Sequence, residues 1–493
     1  MIFEGTSEAR KFTTDTIWVG VSQLILRMRG LITAPFLIGT YGSEGYGVLA
    51  QIAATTGLLS HILGLRLPAA CVRFMSTRDD EPQRRQRAFG GMMTTMVLLN
   101  MLALAASLYE GEFLSEAIFG PRQYFVLVWL TFLWILSINL LDLLTSYLRS
   151  DGRIKTLTVI QLLVATVAVV LIVLFSSLKL TLQSLVTSLI ASEFFFCAVV
   201  LGIIVRDHGF PRPGFFDIRR YLLFSLPLIP LGLVRWVVDS SDRFFVTHFL
   251  NLSQTGIYSL SYAVGGVISM FSFPIFFVLF PTISREWDLG NHEKVRNYFS
   301  YSTSAFLLFA VPVSLLLYFE SKPLLDMLVH SDATIRADLI FLIAASTVMA
   351  GVFQINVYIV YLTKKARLML LVFILGAGIN VLLNIILIPS IGITGAAVAT
   401  FIAYLVLCII MACWGRSLLQ YTIIDLRFLL KLVTATIVTA IWLTFYVQHG
   451  LNGILGILFS TTSAVMIFAA VVFKLKIFSR EEIHFFRETL FKT

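Results

Sequence analysis

Residues 45–59, GYGVLAQIAATTGLL, return in outline as residues 256–270, GIYSLSYAVGGVISM. A second pair, SYLRSDGRIKTLTVIQLLVA (146–165) and VYLTKKARLMLLVFILGAGI (360–379), stands at nearly the same separation. It superposes Tyr147 on Tyr361, Leu148 on Leu362 and Arg153 on Arg367. A return at such a distance marks a chain built from two similar halves. The repeated segments are mostly apolar, and so is the rest. Of 493 residues, 58% are hydrophobic and only 13% charged, with a mean hydropathy of +0.88. A soluble protein carries about a quarter charged residues. The missing charge excludes a water-soluble enzyme, a disordered chain and a nucleic-acid-binding domain, because the surplus apolar surface needs lipid to cover it.

A helix crosses the hydrocarbon core with about 20 mainly apolar residues. Fourteen such stretches are present: 15–39, 46–70, 88–109, 124–148, 156–177, 183–205, 221–248, 255–282, 298–319, 337–362, 367–389, 394–415, 427–447 and 451–473. The fold class is therefore an all-α integral membrane protein of about 14 transmembrane helices. With the N-terminus inside, 28 of the 37 lysines and arginines fall in cytoplasmic segments. Only Arg122, Lys179, Lys322 and Arg336 fall outside. That bias places both termini in the cytoplasm. The opening MIFEGTSEARKFTTD has acidic residues and no basic region before a short apolar core, so a cleaved signal peptide is not expected.

In this register the first repeat pair begins the second span of each half, and the second pair bridges the fourth and fifth. Each half has six spans, an even number, so the halves share orientation. That is the parallel-repeat transporter arrangement, with a site at the repeat interface near the midplane. The expected organisation is an N-lobe over 1–205 (helices 1–6) and a C-lobe over 206–415 (helices 7–12). Helices 13–14 then occupy 416–473, and 474–493 form a cytoplasmic amphipathic tail with Ile483, Phe486 and Leu490 on one face.

Charges inside spans carry the functional signal, since an arginine at the bilayer centre costs roughly 2.5–3.5 kcal/mol. Five qualify: Arg27, Arg29, Arg66, Arg235 and Arg243. Arg27 and Arg235 lie near the middle of the first span of each half, so a cationic cavity is expected there. Gln23 lies one turn before Arg27 on the same face. Arg235, Asp239 and Asp242 follow at i, i+4 and i+7, with Arg243 next, which suits a self-neutralised ladder as well as a binding site. Arg66, near a helix end, can also snorkel. Glu193, deep in the sixth span, and Asp142, in the fourth, are candidates for ion coupling or counter-ions. His61, Asp239 and Asp242 complete the coupling candidates, with packing as the rival reading for His61. Gly376, Asn380 and Asn384 form a small-and-amide stripe that reads as helix packing.

Other chemistry is not signalled. Cys71, Cys197, Cys408 and Cys413 sit in apolar stretches without metal-ligand spacing, so no metal site or disulfide framework is expected. The sequence has no GxxxxGK[ST] and no HExxH, and its loops are too short for a nucleotide-binding domain.

Four further stretches are recognisable together: TAPFLIGTYGSEGYGVLAQ from Thr33, DRFFVTHFLNLSQTGIYSLSYAVGG from Asp242, FVLFPTISR ending at Arg285, and NVLLNIILIPSIGITGAAVATFIAY from Asn380. With them the chain resembles the polysaccharide transporter family of the multidrug/oligosaccharidyl-lipid/polysaccharide exporter superfamily. The resemblance covers nearly the whole chain. It implies a flippase of the bacterial inner membrane, moving undecaprenyl-pyrophosphate-linked oligosaccharides for O-antigen, lipopolysaccharide, capsule or exopolysaccharide. It implies a cationic cavity, lobe rocking coupled to an ion gradient (H+ or Na+), and no cofactor. Implied partners are the lipid-linked oligosaccharide, the bilayer, and polymerase and chain-length proteins of the same pathway. The nearest rival is a cation-coupled drug or metabolite antiporter of the same superfamily. A membrane-embedded glycan ligase or polymerase is a more distant one, since the short outer loops offer no place for its acid and base.

Overall fold

The computed structural model describes residues 6–76, 82–328, 336–363, 365–420, 425–449 and 453–476, and side chains from residue 28 onward apart from a few positions. The amphipathic tail expected over 474–493 therefore lies almost wholly outside the described residues. Within them the chain is helical, and no strand occurs.

The helices follow in order α1 (Thr6–Leu63), α2 (Leu67–Met75), α3 (Pro82–Tyr109), α4 (Gly111–Phe119), α5 (Phe125–Ser150), α6 (Ile154–Ser177) and α7 (Leu182–His208). Next come α8 (Ile218–Ser225), α9 (Ile229–Ser240), α10 (Asp242–Phe249), α11 (Leu252–Gly265) and α12 (Ser269–Asp288). The last seven are α13 (His292–Leu328), α14 (Ala337–Asn356), α15 (Tyr358–Leu362), α16 (Ala366–Ile391), α17 (Ile393–Leu419), α18 (Leu426–His449) and α19 (Gly453–Lys474).

Twelve stretches among the described residues are long and apolar enough to cross a membrane. Helix α1 covers the first and second expected spans, as two helices that meet at a kink at Gly42, whose φ of 69° a side chain would resist. The eighth expected span, 255–282, falls on α11 and α12, divided by a 3₁₀ turn at Gly266–Ile268 along one helical path. The seventh is also divided. A 3₁₀ turn carrying Pro227 separates α8 from α9, and a turn at Ser241 separates α9 from α10.

The chain forms two units, Met1–Leu260 with Asn384–Ile393, and Ser261–Leu383 with Thr394–Thr493. In the first, Cys71, Phe89, Met92, Tyr147 and Val200 close a core between α2, α3, α5 and α7. A second core gathers Val48, Ile52, Phe119, Ile135 and Val186. The described cysteines are all free thiols.

Two of the repeated stretches meet each other in this unit. A Cβ at Gly47 would lie 1.9 Å from the Leu252 carbonyl oxygen, and one at Gly256 would lie 1.9 Å from that of Ser43. Ser43 Oγ and Ser253 Oγ are hydrogen-bonded at 2.6 Å beside this crossing. The reciprocity pairs Gly47 with Gly256, two residues away from the sequence pairing with Gly45. Gly45 does not face the partner helix, since the atoms near its absent Cβ belong to Tyr41.

The 206–220 segment, expected as a plain cytoplasmic loop, is fastened to α3. Arg212 N–H donates to the Gln86 carbonyl (3.3 Å) and Gly214 N–H to Thr94 Oγ1 (3.3 Å). Gly90 is required there, because its Cβ would fall 1.9 Å from the Arg212 carbonyl oxygen.

In the second unit, α18 and α19 pack on α13 through Leu315, Leu443 and Ala464. Ser460 Oγ donates there to the buried Glu320. The Gly376–Asn380 stripe of α16 meets α17: Asn380 Nδ2 donates to Thr400 Oγ1 at 3.2 Å, and Leu407 fills the space beside Gly376.

Candidate functional site

The second expected span, 46–70, looks continuous by composition but is broken in the structure. Helix α1 stops at Leu63, and Leu65 and Arg66 take left-handed backbone angles (φ 49° and 52°) before α2 starts with Pro68 in its first turn. Each left-handed L-residue costs roughly 1–2 kcal/mol. Backbone of this kind inside a membrane protein persists where protein partners replace the lost helical bonds. Asn100 of α3 supplies one, donating Nδ2 to the Leu63 carbonyl (3.0 Å), while its own Oδ1 accepts from Asn139 Nδ2 of α5 (3.1 Å). Both amides are buried. Gly64 leaves room for this, since its Cβ would sit 3.0 Å from Asn139 Oδ1.

Charges collect at the break. Helix α9 presents Gly232, where a Cβ would come 2.3 Å from His61 Cδ2 and 2.5 Å from Arg66 Nη2. The missing side chain is what admits both groups. One turn further, Trp236 Nε1 donates to the Ala54 carbonyl (3.0 Å), pinning α9 to α1. Arg66 and Arg235 both lie close enough to His61 for their charges to act on it, and Asp142 is in range of Arg66. Arg235 remains about half exposed, sharing Asp239 at 3.5 Å. Arg66 Nε is buried with no hydrogen-bond partner in the protein. A buried N–H without an acceptor calls for an explanation, and at a cationic helix break an anionic ligand supplies one.

The structure thus brings together Arg66, Arg235, His61, Asp142 and Asp239 from the residues singled out in the sequence. Arg243 and Asp242 do something else. Arg243 Nη1 binds Asp242 Oδ1 at 3.1 Å, and Asp242, 1% exposed, also accepts from Tyr258 OH. In the expected ladder, Asp239 takes Arg235 through its carboxylate and Arg243 through its backbone carbonyl (3.4 Å), while Arg243 also pairs with Asp242. Glu193 of α7 bonds Trp134 and Ser137 of α5, with the Arg29 charge in range. The side chains of Gln23 and Arg27 lie outside the described residues.

The sequence reading passed over three groups. Asn100 and Asn139 carried the signal of amides inside apolar spans. A clamp between helix ends joins Arg85, Asp151, Arg153, Asp207 and His208, with Arg85–Asp151 at 3.2 Å and His208–Asp151 at 3.2 Å. Burial pushes the Asp151 carboxyl up, but the His208 hydrogen bond and the Arg85 and Arg153 charges outweigh it and hold it below the usual range. An open cavity of about 520 Å³ lies beside α4, with Glu110, Glu112 and Glu116 near Arg122; none of the anticipated residues lines it.

The model of the polysaccharide biosynthesis protein family matches residues 12–287, more than half of the chain. The chain belongs to that family. A MatE model also matches residues 227–387 of this polysaccharide biosynthesis family member. Among individual relatives, the probable low-salt glycan biosynthesis flippase Agl15 of Haloferax volcanii is 22% identical over 224 residues, 45% of this chain and 47% of that protein. An uncharacterised membrane protein of Methanocaldococcus jannaschii, MJ1068, is 24% identical over 39% of this chain and 38% of its own. The match thus spans about half the length of the first relative and less of the second. Among solved structures, the lipid II flippase MurJ in an inward closed conformation superposes with a TM-score of 0.76 at 13% identity, covering 92% of this chain and 97% of that one. An inward-facing multidrug resistance MATE transporter gives 0.64 at 12% identity, over 80% and 94%. Both likenesses establish the fold: a multi-pass, all-helical membrane protein of the MurJ/MATE type.

Proposed function

We propose that this protein is a flippase that carries undecaprenyl-pyrophosphate-linked oligosaccharide repeat units across the bacterial inner membrane for surface polysaccharide synthesis. It works by alternating access, driven by an ion gradient or the membrane potential. The observation that carries this reading is Arg66, held at a helix break with its Nε–H buried and unpaired, beside Arg235 and His61. A pyrophosphate offers such a donor its strongest class of partner, a charge-assisted hydrogen bond with geometry matched to the guanidinium fork. The lipid tail stays in the bilayer while the head group crosses. Family membership, the glycan biosynthesis flippase of Haloferax volcanii and the lipid II flippase fold support the class, and none of these relatives is an enzyme by name. No cofactor is needed beyond the coupling ion. Polymerase and chain-length proteins of the same pathway would receive the product.

The MatE match favours a second reading, export of cationic drugs or metabolites. Arg66 and Arg235 weigh against it, because a cationic cargo would meet two like charges near His61.

The test is the sidedness of lipid-linked oligosaccharide in a strain lacking the gene. Repeat units trapped on the cytoplasmic leaflet, with surface polymer restored by the gene, are expected. Arg66→Ala and Arg235→Ala should fail to restore it at normal protein level, and Arg66→Lys, which keeps the charge and loses the fork, should restore it only partly. Unchanged surface glycan in the deletion strain would reject the reading and turn attention to dye efflux.

A further inference from the structure

The half-buried carboxylate of Glu193 takes no part in the arginine site, and its surroundings are specific. Trp134 Nε1 donates to Oε1 at 2.9 Å, and Ser137 Oγ lies 2.6 Å from Oε2. The same Ser137 Oγ lies 2.8 Å from the Trp134 carbonyl oxygen, to which its O–H can turn instead. A serine hydroxyl has one proton to donate and two lone pairs to accept with, and its hydrogen rotates to suit its neighbours.

Two complete hydrogen-bond arrangements therefore exist on one set of heavy atoms. With Glu193 ionised, Oε1 accepts from Trp134 and Oε2 accepts from the Ser137 O–H. With Glu193 protonated on Oε2, that new O–H donates to Ser137 Oγ, and the Ser137 hydrogen swings to the Trp134 carbonyl. No donor or acceptor is left unsatisfied in either state. We propose that Glu193 is a proton-binding site of this kind, and that its proton is the ion coupled to transport.

A proton needs only one oxygen and one acceptor, both present here, whereas Na+ would need several oxygens and would compete with the indole N–H at Oε1. Around Glu193, α5 contributes Trp134 and Ser137, and α1 contributes the Arg29 charge. Helix α7 adds Cys197 one turn on, bonded to the Ser137 carbonyl at 3.6 Å. Helix α6 brings no ionisable group except Lys155 in its first turn.

The coupling half of this proposal rests on the transport reading above, and the proton-binding half does not. Infrared difference spectra of the full-length purified protein across an acid-to-alkaline titration test the latter without any substrate. A carboxylic C=O stretching band should grow on acidification and be missing in Glu193→Gln. In Trp134→Phe it should move to higher frequency, because the N–H that weakens that C=O bond is gone. Identical wild-type and Glu193→Gln spectra, or a band that does not change with pH, would overturn the site. In cells, Glu193→Gln should trap lipid-linked units on the cytoplasmic leaflet at normal protein level. Collapsing the pH gradient should do the same, and collapsing the sodium gradient should not. Wild-type export by Glu193→Gln would overturn coupling. A deletion strain with no trapped units would instead overturn the flippase reading and leave the infrared result standing.

Discussion

Both ends of the helix that follows Gly42 are shaped by missing side chains, with opposite results. At one end, Gly47 and Gly256 let two backbones touch, and each absent Cβ is replaced by a carbonyl oxygen from across the crossing. At the other, Gly64 and Gly232 make room for side chains, two amides and the His61–Arg66 pair. The first use of glycine removes space and leaves a mechanical contact of backbone on backbone. The second creates space and fills it with charge. Glycine content alone does not distinguish a joint from a binding site; what enters the vacated volume does.

The most severe way to break the contrast is to fill the crossing. Gly47→Leu or Gly256→Leu should destabilise by at least about 3 kcal/mol, the upper end of overpacking, because rigid backbone stands in the way. Thermal unfolding in detergent would read this, and since both substitutions strain one contact, the double variant should lose less than the sum. Next is Asn100→Leu, which strips the Leu63 carbonyl of its donor at the break. A loss of about 1–3 kcal/mol is expected, the cost of an orphaned buried polar group. A smaller change of opposite sign sharpens the picture. Arg66→Gly relieves a left-handed residue and should raise stability by about 0.5–1 kcal/mol, while Leu65→Gly relieves one but gives up the packing of Leu65 on the core and should gain less. Only Arg66→Gly should abolish export, which would separate the backbone of the break from its charge.

The smallest expected effect lies in the clamp around Asp151. Asp151 titrates below the ordinary carboxylate range in the folded protein. Its contribution is therefore present above the ordinary range and fades as pH falls through the lowered folded value. Asp151→Asn should lower stability near neutral pH by about 1 kcal/mol or less. The gap from wild type should close on acidification, as unfolding measured at both pH values would show.

The membrane class was legible from composition, and the charged candidates stood out because apolar spans make an arginine or glutamate conspicuous. The break was not legible. Residues 46–70 are apolar enough to read as one span, and apolarity reports burial in lipid without reporting backbone angle. Leu65 in particular offers no hint of a positive φ. The turn at Gly266–Ile268 escaped for a related reason: glycines are common in membrane helices and bend only some of them. The partners of Glu193 were hidden because Trp134 and Ser137 reach it across two helices, a tertiary relation that no spacing within one span encodes. Arg66, Arg235 and His61 were each visible alone, and only Gly232 explains why they share one place.

The reciprocal contact at Gly47 and Gly256 has the form of an isologous interface, in which a patch is its own partner. Had the two halves once been separate copies of one chain, a single glycine in that chain would have fitted both sides of such a dimer at once. Joined in one polypeptide, the two positions are free to diverge, yet neither can admit a side chain without the other feeling it.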